Sequence, residues 1–368
     1  MDFDIIKNAA RLYAEYGNKA KVARELGVSH RTVGRYLEKA ALTGNDGLSL
    51  KSVPYGHNVK GVSTLYDENG NVRAQWVKTR VDGPDVEQLA EYFTEAFKDI
   101  EYYSDFQKSP DVVNDYKMTV YPLADLHFGM QAWGEECGDD YDLKIAKQTA
   151  IETFAKLVEK SEPTNECLIV NLGDAIHIND SKNMTPASGH ILDVDSRYQK
   201  IIYTAVEVFV NIIDIALSKH KRVVFRNVAG NHDPDATVAL NIALKMFSKD
   251  DDRIVIDDSP RQLKAYKYGV NLIGMFHGHT MKEERAAMAL ASEYSEWWGQ
   301  TKFRHLLHGH FHSKQNKEFG GVDVEGFNTI ATRDAYSANG GYVSKRRLTS
   351  ITYDFEKGED SRSFVNLI

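Results

Sequence analysis

The stretch Asn227-Val-Ala-Gly-Asn-His-Asp-Pro234 decides how the rest of the chain is read. It follows the apolar run Val223-Val-Phe225, which reads as a buried strand. The chain then turns at Gly230 and presents Asn231, His232 and Asp233 at a loop tip. An amide oxygen, an imidazole and a carboxylate are groups that bind metal and move protons. Four other stretches share this design. Asp125-Leu-His127-Phe-Gly129 follows the apolar run 118–124, and Gly173-Asp174 follows Leu168-Ile-Val-Asn-Leu172. His277-Gly-His279 follows the run 270–276, and His308-Gly-His-Phe-His312 follows Leu306-Leu307. In an open α/β sheet, loops at the carboxyl ends of strands converge on one crevice. The five loops therefore predict that Asp125, His127, Asp174, Asn231, His277, His310 and His312 come together.

Outward from these loops, the composition sets bounds. The 368 residues suit one large domain with something small beside it, or two domains, and the 42% apolar content can fill a sizeable core. No window approaches the 18 consecutive apolar residues of a membrane span. The start, Met-Asp-Phe-Asp, shows neither a basic nor an apolar leader region, so no signal peptide is expected. Cys137 and Cys167 alone make no disulfide framework, and a bacterial or phage-infected cytoplasm is the expected location. The net charge of −8 is uneven. Residues 1–42 hold 8 Lys/Arg against 5 Asp/Glu, residues 43–116 hold 7 against 13, and residues 117–368 hold 30 against 35. A basic head on an acidic body is compatible with nucleic-acid contact through the head, though such a charge on helices is commonly a solvated face.

That head, 1–42, reads as three helices over 4–16, 19–26 and 30–41. Ile5, Ile6, Ala9, Leu12 and Tyr13 share one face of the first. Asn18 and Ser29 are placed to cap the second and third, and Gly27 to make the turn between them. Ala23, Gly27 and Val33 stand where a helix-turn-helix needs a small residue, a turn glycine and a locking apolar residue. The stretch resembles that family, which implies that His30, Arg31, Thr32 and Arg35 face a DNA groove. A small helical interaction module is the competing reading.

Residues 43–116 read as a linker carrying a β-hairpin and an acidic helix. The hairpin strands flank Asp67-Glu-Asn-Gly-Asn71, and the helix covers 84–101. Ordinary hairpin packing outweighs a stacking role for Trp76 among Lys51, Lys60, Lys78 and Arg80. Residues 117–368 alternate strands with helices over 142–159, 196–219, 236–247 and 282–298, which argues for an α/β domain. After His312 the pattern becomes more purely β, with strands expected over 321–330 and 347–355, so a second sheet should pack on the first.

The ordered set Asp125-Leu-His127, Gly173-Asp174, Gly230-Asn-His-Asp233, His277 and Gly309-His-Phe-His312 is similar to the calcineurin-like metallophosphoesterase family, over about residues 117–330. The resemblance implies a four-layer α/β/β/α sandwich and two divalent metal ions. Carried over by motif, one ion would take Asp125, His127, Asp174 and His312, and the other Asp174, Asn231, His277 and His310, with Asp174 bridging. It implies hydrolysis of a phosphoester by a bridging water whose pKa the ions lower. His232 would then protonate the leaving oxygen. Asp233 either orients His232 or serves as a turn carboxylate.

Within the family, Asp-Leu-His-Phe-Gly and Gly-Asp-Ala-Ile-His177 resemble the SbcD-type DNA nucleases, whereas protein phosphatases usually carry Gly-Asp-x-x-Asp-Arg-Gly and Gly-Asn-His-Glu. His177 either holds substrate or His232, or makes a structural hydrogen bond. The chain lacks the coiled-coil partner motif and capping domain of those nucleases, and adds the helix-turn-helix. That layout is similar to metallophosphoesterases of phages and prophages. Mn²⁺ is the favoured ion, with Zn²⁺, Fe²⁺ and Ni²⁺ able to bind the same ligands. A DNA nuclease is the leading expectation. The alternatives are a phosphodiesterase or phosphatase on nucleotides or other small phosphoesters, and a DNA-binding regulator with a vestigial enzyme domain. The chain is compatible with a homo-oligomer and with no membrane. In the polar stretch 180–197, Lys182, Asn183, Thr185, His190 and Arg197 are candidate substrate contacts.

Overall fold

The computed structural model describes residues 3–42, 57–66, 72–81, 110–111 and 113–367. The chain divides into two units, Met1–Val86 and Glu87–Ile368. The linker 43–47, the hairpin turn 67–71 and the acidic helix expected over 84–101 lie outside the described residues.

The first unit holds α1 (Phe3–Tyr16), α2 (Lys19–Leu26) and α3 (His30–Leu42), the last two started by side-chain caps. The Asn18 side-chain oxygen accepts from the N–H groups of Ala20 at 2.9 Å and Lys21 at 3.2 Å. Gly27 takes the left-handed conformation that ends α2, with φ 62°. The Ser29 hydroxyl accepts from Thr32 N–H at 3.1 Å. Ile6, Ala9, Leu12, Val22, Ala23 and Val33 are buried. Ile5, expected to face inward, is exposed. Adjacent helix positions lie about 100° apart, so Ile5 and Ile6 cannot both point into so narrow a core. Strands β1 (His57–Tyr66) and β2 (Val72–Val81) pair antiparallel, with Val62 opposite Val77.

The second unit holds two sheets. The larger has the order β13-β12-β3-β4-β5-β6, where β3 is Asn114–Leu123, β4 Thr164–Asn171, β5 His220–Asn227, β6 Ile254–Asp257, β12 Arg347–Asp354 and β13 Gly358–Asn366. Strands β3, β4, β5 and β6 are parallel. The smaller has the order β10-β11-β9-β8-β7, with β7 Lys264–Tyr268, β8 Asn271–Met275, β9 Phe303–His308, β10 Gln315–Phe319 and β11 Val322–Gly326. The remaining helices are α4 (Gly134–Cys137), α5 (Leu143–Lys160), α6 (Tyr198–Leu217), α7 (Ala236–Ser248), α8 (Glu283–Glu293), α9 (Ser295–Gln300) and α10 (Ala335–Asn339).

Period-two alternation sorts the strand side chains into layers. Tyr121, Leu123, Cys167, Ile169, Val223 and Phe225 join α5, α6 and α7 in one core. Their neighbours Met118, Val120, Leu168, Val170 and Val224 meet Ile273, Met275 and Leu307 of the smaller sheet in a second core. Leu272 and Leu306 turn the other way, to Ala286 and Leu290 of α8. The result is a four-layer α/β/β/α sandwich. Each large, fully buried apolar side chain contributes roughly 2 kcal/mol, so the middle layer holds the sheets face to face.

Two expected elements differ. The helix expected over 282–298 breaks at Tyr294 into α8 and α9. The Tyr294 hydroxyl is tied to Leu263 O at 3.1 Å and its ring stacks on Trp297, which turns the chain there. The strand expected over 321–330 ends at Gly326, and β10 precedes it in an antiparallel pair. Among the described residues, no helix is long and apolar enough to cross a membrane.

Candidate metal centre

The parallel strands β3, β4, β5, β8 and β9 each end in a loop that carries donors. The loop backbones are unusual. Asp125, His127, Asp174, His310 and His312 have φ between 48° and 70°, a region that L-residues rarely adopt. Asn183 is the one other described non-glycine residue with positive φ. Each such residue costs about 1 kcal/mol or more, and strain of this kind persists where surrounding contacts over-determine it. Those contacts are visible. The His310 N–H donates to both Asp125 carboxylate oxygens at 3.0 Å, and the Thr329 hydroxyl donates to Asp125 O at 2.5 Å. The His127 N–H donates to Asp174 O at 3.0 Å, and the His232 N–H donates to Asp174 Oδ1 at 2.7 Å. Gly230 permits the last contact: a Cβ there would stand 1.9 Å from Asp174 Oδ1.

The donors fall into two groups whose ligand atoms lie within 4.8 Å of one another: Asp125, His127 and His312, and Asp174, His277 and His310. In the first, His127 Nε2 lies 3.2 Å from His312 Nε2, and His312 Nε2 lies 3.6 Å from Asp125 Oδ1. In the second, His277 Nε2 lies 3.0 Å from Asp174 Oδ2 and 3.0 Å from Asn231 Oδ1. The seven expected donors therefore meet in one place. Electrostatics join the groups. Burial pushes the Asp125 carboxyl up, while the imidazoles of His312 and His277 draw it down and Asp174 opposes them. Burial opposes charge on His277, but the Asp174 carboxylate in contact with it, with Asp125 beyond, raises its pKa to about 10.

Neighbouring groups fix which nitrogen each ring offers. His277 Nδ1 donates to Leu172 O at 2.8 Å, which leaves Nε2 to face Asp174 and Asn231. His127 Nδ1 and His177 Nδ1 share a hydrogen bond of 3.1 Å, so His127 Nε2 faces His312. Burial, with His232 nearby, lowers His177 to about 3, so this pair is joined as neutral rings. His177 thus orients His127 through its side chain and His232 through its backbone: His232 Nδ1 donates to His177 O at 2.9 Å. The His232 ring stacks on His177 with centroids 5.2 Å apart, and its centroid lies 4.9 Å from that of His127. It is half-buried, at the rim of the cluster.

Asp233 does not orient His232. Its carboxylate accepts from the N–H groups of Gly230 at 2.9 Å, Ile176 at 3.1 Å and Asp174 at 3.3 Å. Burial raises its pKa to about 6, helped by Asp174 and resisted by those N–H groups. It is a turn carboxylate that ties the loop after β5 to the loop after β4.

The stretch 180–197 divides. Lys182, Asn183, His190 and Arg197 are exposed. Thr185 is buried, and its hydroxyl is used within the loop, on Ser188 at 2.7 Å and the His190 N–H at 3.0 Å, so it is not offered to a substrate. In the separate N-terminal unit, His30, Arg31 and Arg35 of α3 are exposed, while Thr32 is half-buried with its hydroxyl 2.8 Å from that of Ser29. The sequence reading missed Thr329, which follows β11 and holds the Asp125 backbone, because nothing local marks a threonine for that task. It also missed Phe311, Arg333 and Tyr342, which line a cleft beside His312. The sequence signal for Arg333 and Tyr342 is the interleaving of basic and aromatic residues over 333–347, and Phe311 stands between His310 and His312.

No family model matches the chain, and no curated protein matches it. Solved structures do. A dimetal phosphatase from Danio rerio is 9% identical, with 69% of this chain and 99% of that one covered and a TM-score of 0.37. An archaeal phosphodiesterase is 11% identical, with 68% and 99% covered and a TM-score of 0.33. A predicted phosphoesterase from Streptococcus pneumoniae is 11% identical, with 68% and 98% covered and a TM-score of 0.30.

Proposed function

We propose that the chain is a calcineurin-like phosphodiester hydrolase dependent on two divalent ions, of the SbcD-like kind, and that its substrate is a DNA strand. The convergence of two carboxylates, four imidazoles and an amide on one crevice carries the reading. The donor set fits hard or borderline divalent ions, with Mn²⁺ favoured. Asp125, His127, Asp174 and His312 would hold one ion, and Asp174, Asn231, His277 and His310 the other. Bound there, the ions would supply Lewis acidity toward the phosphoryl oxygens and an ionised water. The chain's own groups do the rest. The Asp174 and Asp125 carboxylates are aimed by backbone N–H groups rather than by mobile side chains. His232, with Nδ1 held by a carbonyl, keeps Nε2 for the leaving group. As the water oxygen bonds to phosphorus and the ester P–O bond breaks, His232 as the doubly protonated imidazolium would pass its Nε2 proton to the departing oxygen and be left neutral.

The acidic balance of residues 117–368 favours a second reading, hydrolysis of nucleotides or other small phosphoesters, since a polyanion prefers a basic channel. The deciding experiment presents single- and double-stranded DNA, RNA, cyclic dinucleotides and a chromogenic bis-ester to the protein with added Mn²⁺. EDTA should abolish turnover and Mn²⁺ restore it; full activity of the metal-stripped protein would remove the reading. Cleavage of the small esters alone would leave the second.

The exposed Arg31 and Arg35 of α3 support a DNA contact by the N-terminal unit. Arg31→Ala with Arg35→Ala should weaken DNA binding and flatten its salt dependence, while hydrolysis of the bis-ester persists. Unchanged binding in a salt titration would make the three helices an assembly module.

A further inference from the structure

Beside the donor cluster, the cleft of about 350 Å³ that touches His312 is lined by Phe311, Thr332, Arg333, Tyr342 and Val343. Its aromatic groups are unusually open to solvent. Phe311 is 48% exposed, Tyr342 61%, and Tyr336, beside it, 72%. Tyr336 and Tyr342 stack with centroids 6.3 Å apart at 24°, and the His190 ring lies 6.5 Å from Tyr336. Single exposed apolar residues are ordinary, but a group of them beside a polar cleft marks a binding surface. Arg333 is anchored by Nη2 to Cys137 O at 3.0 Å and makes no ion pair with a carboxylate among the described residues. Arg346, in the same wall, is paired with Asp139 at 3.2 Å and so brings less free charge.

Flat aromatic faces, a guanidinium and direct continuity with a candidate metal ligand suit one kind of group: a nucleoside attached to the phosphate under attack. The volume lies at the small end for ligand pockets, room for one unpaired nucleotide and not for a base pair. We propose that this cleft holds the nucleoside on one side of the scissile phosphodiester, with its base against Tyr342 and Phe311 and its sugar-phosphate near Arg333. The proposal rests on the phosphodiester reading above and narrows the substrate to unpaired nucleic acid or nucleotide esters.

The test compares methyl p-nitrophenyl phosphate with the p-nitrophenyl ester of thymidine monophosphate, which differ by the nucleoside. The wild type should favour the nucleoside ester by about tenfold or more in kcat/KM. Tyr342→Ala should bring that ratio toward one, and Tyr342→Phe should keep it. A merely structural tyrosine would lower both rates together and leave the ratio alone. A wild type without preference, or an unchanged ratio in Tyr342→Ala, overturns the subsite while hydrolysis of the methyl ester still upholds the phosphodiester reading. If neither ester turns over with any divalent ion, the phosphodiester reading falls. Calorimetric binding of thymidine monophosphate then judges the subsite, with weaker binding by Tyr342→Ala supporting it and equal binding overturning it.

Discussion

Asp174→Ala should lose both bound metal and turnover, the rate falling by about 10³-fold or more, because its carboxylate would be shared by both ions. Its carboxylate lies 3.0 Å from His277 Nε2 and accepts the His232 N–H at 2.7 Å, while its carbonyl accepts the His127 N–H at 3.0 Å. The side chain is buried, so the substitution removes a buried charge that raises the pKa of His277. Asp174→Asn is the necessary companion. It keeps an oxygen for the His232 N–H and nearly the same volume, but loses the charge. Elemental analysis of the purified variants, beside a melting curve, separates the outcomes. Loss of metal in Asp174→Asn at an unchanged melting temperature is the expected result. Two metal equivalents retained by Asp174→Asn would show that Asp174 is not shared between the ions.

His232→Ala should behave differently although its neighbour Asn231 is proposed as a metal donor. Its backbone N–H, which aims Asp174, survives the substitution. Its ring nitrogen Nδ1 is committed to His177 O, so only Nε2 is lost to chemistry. Removing a general acid costs about 10²–10⁴-fold in rate. The loss should be smaller for a nitrophenyl ester, whose leaving group departs without a proton, than for an alkyl or nucleotide ester. Metal content should stay at the wild-type value. The donor atoms of His232, His127 and His177 lie within 4.8 Å of one another, so the alternative is concrete. Loss of one metal equivalent in His232→Ala would move His232 from acid to ligand.

The sequence by itself determined which residues could meet. Each donor follows an apolar strand that must be buried, and burial of a parallel sheet forces the loops after its strands to one edge. Asp125, His127, Asp174, Asn231, His277, His310 and His312 were therefore legible as a set, as were the caps Asn18 and Ser29, whose partners lie two or three residues away. Tertiary structure decided what depends on partners far along the chain. Asp233 belongs to the backbone of Gly230, Asp174 and Ile176, two of which are more than fifty residues away. The Nδ1 atoms of His177 and His127, fifty residues apart, meet between the loops after β4 and β3. The left-handed backbone at Asp125, His127, Asp174, His310 and His312 has no local signature, because Asp and His tolerate it only where neighbouring loops supply the holding contacts. The cleft of Phe311, Arg333 and Tyr342 exists only because the chain after β11 folds back beside the His310–His312 loop. Local pattern fixes the face a residue shows, but only packing fixes what it meets there.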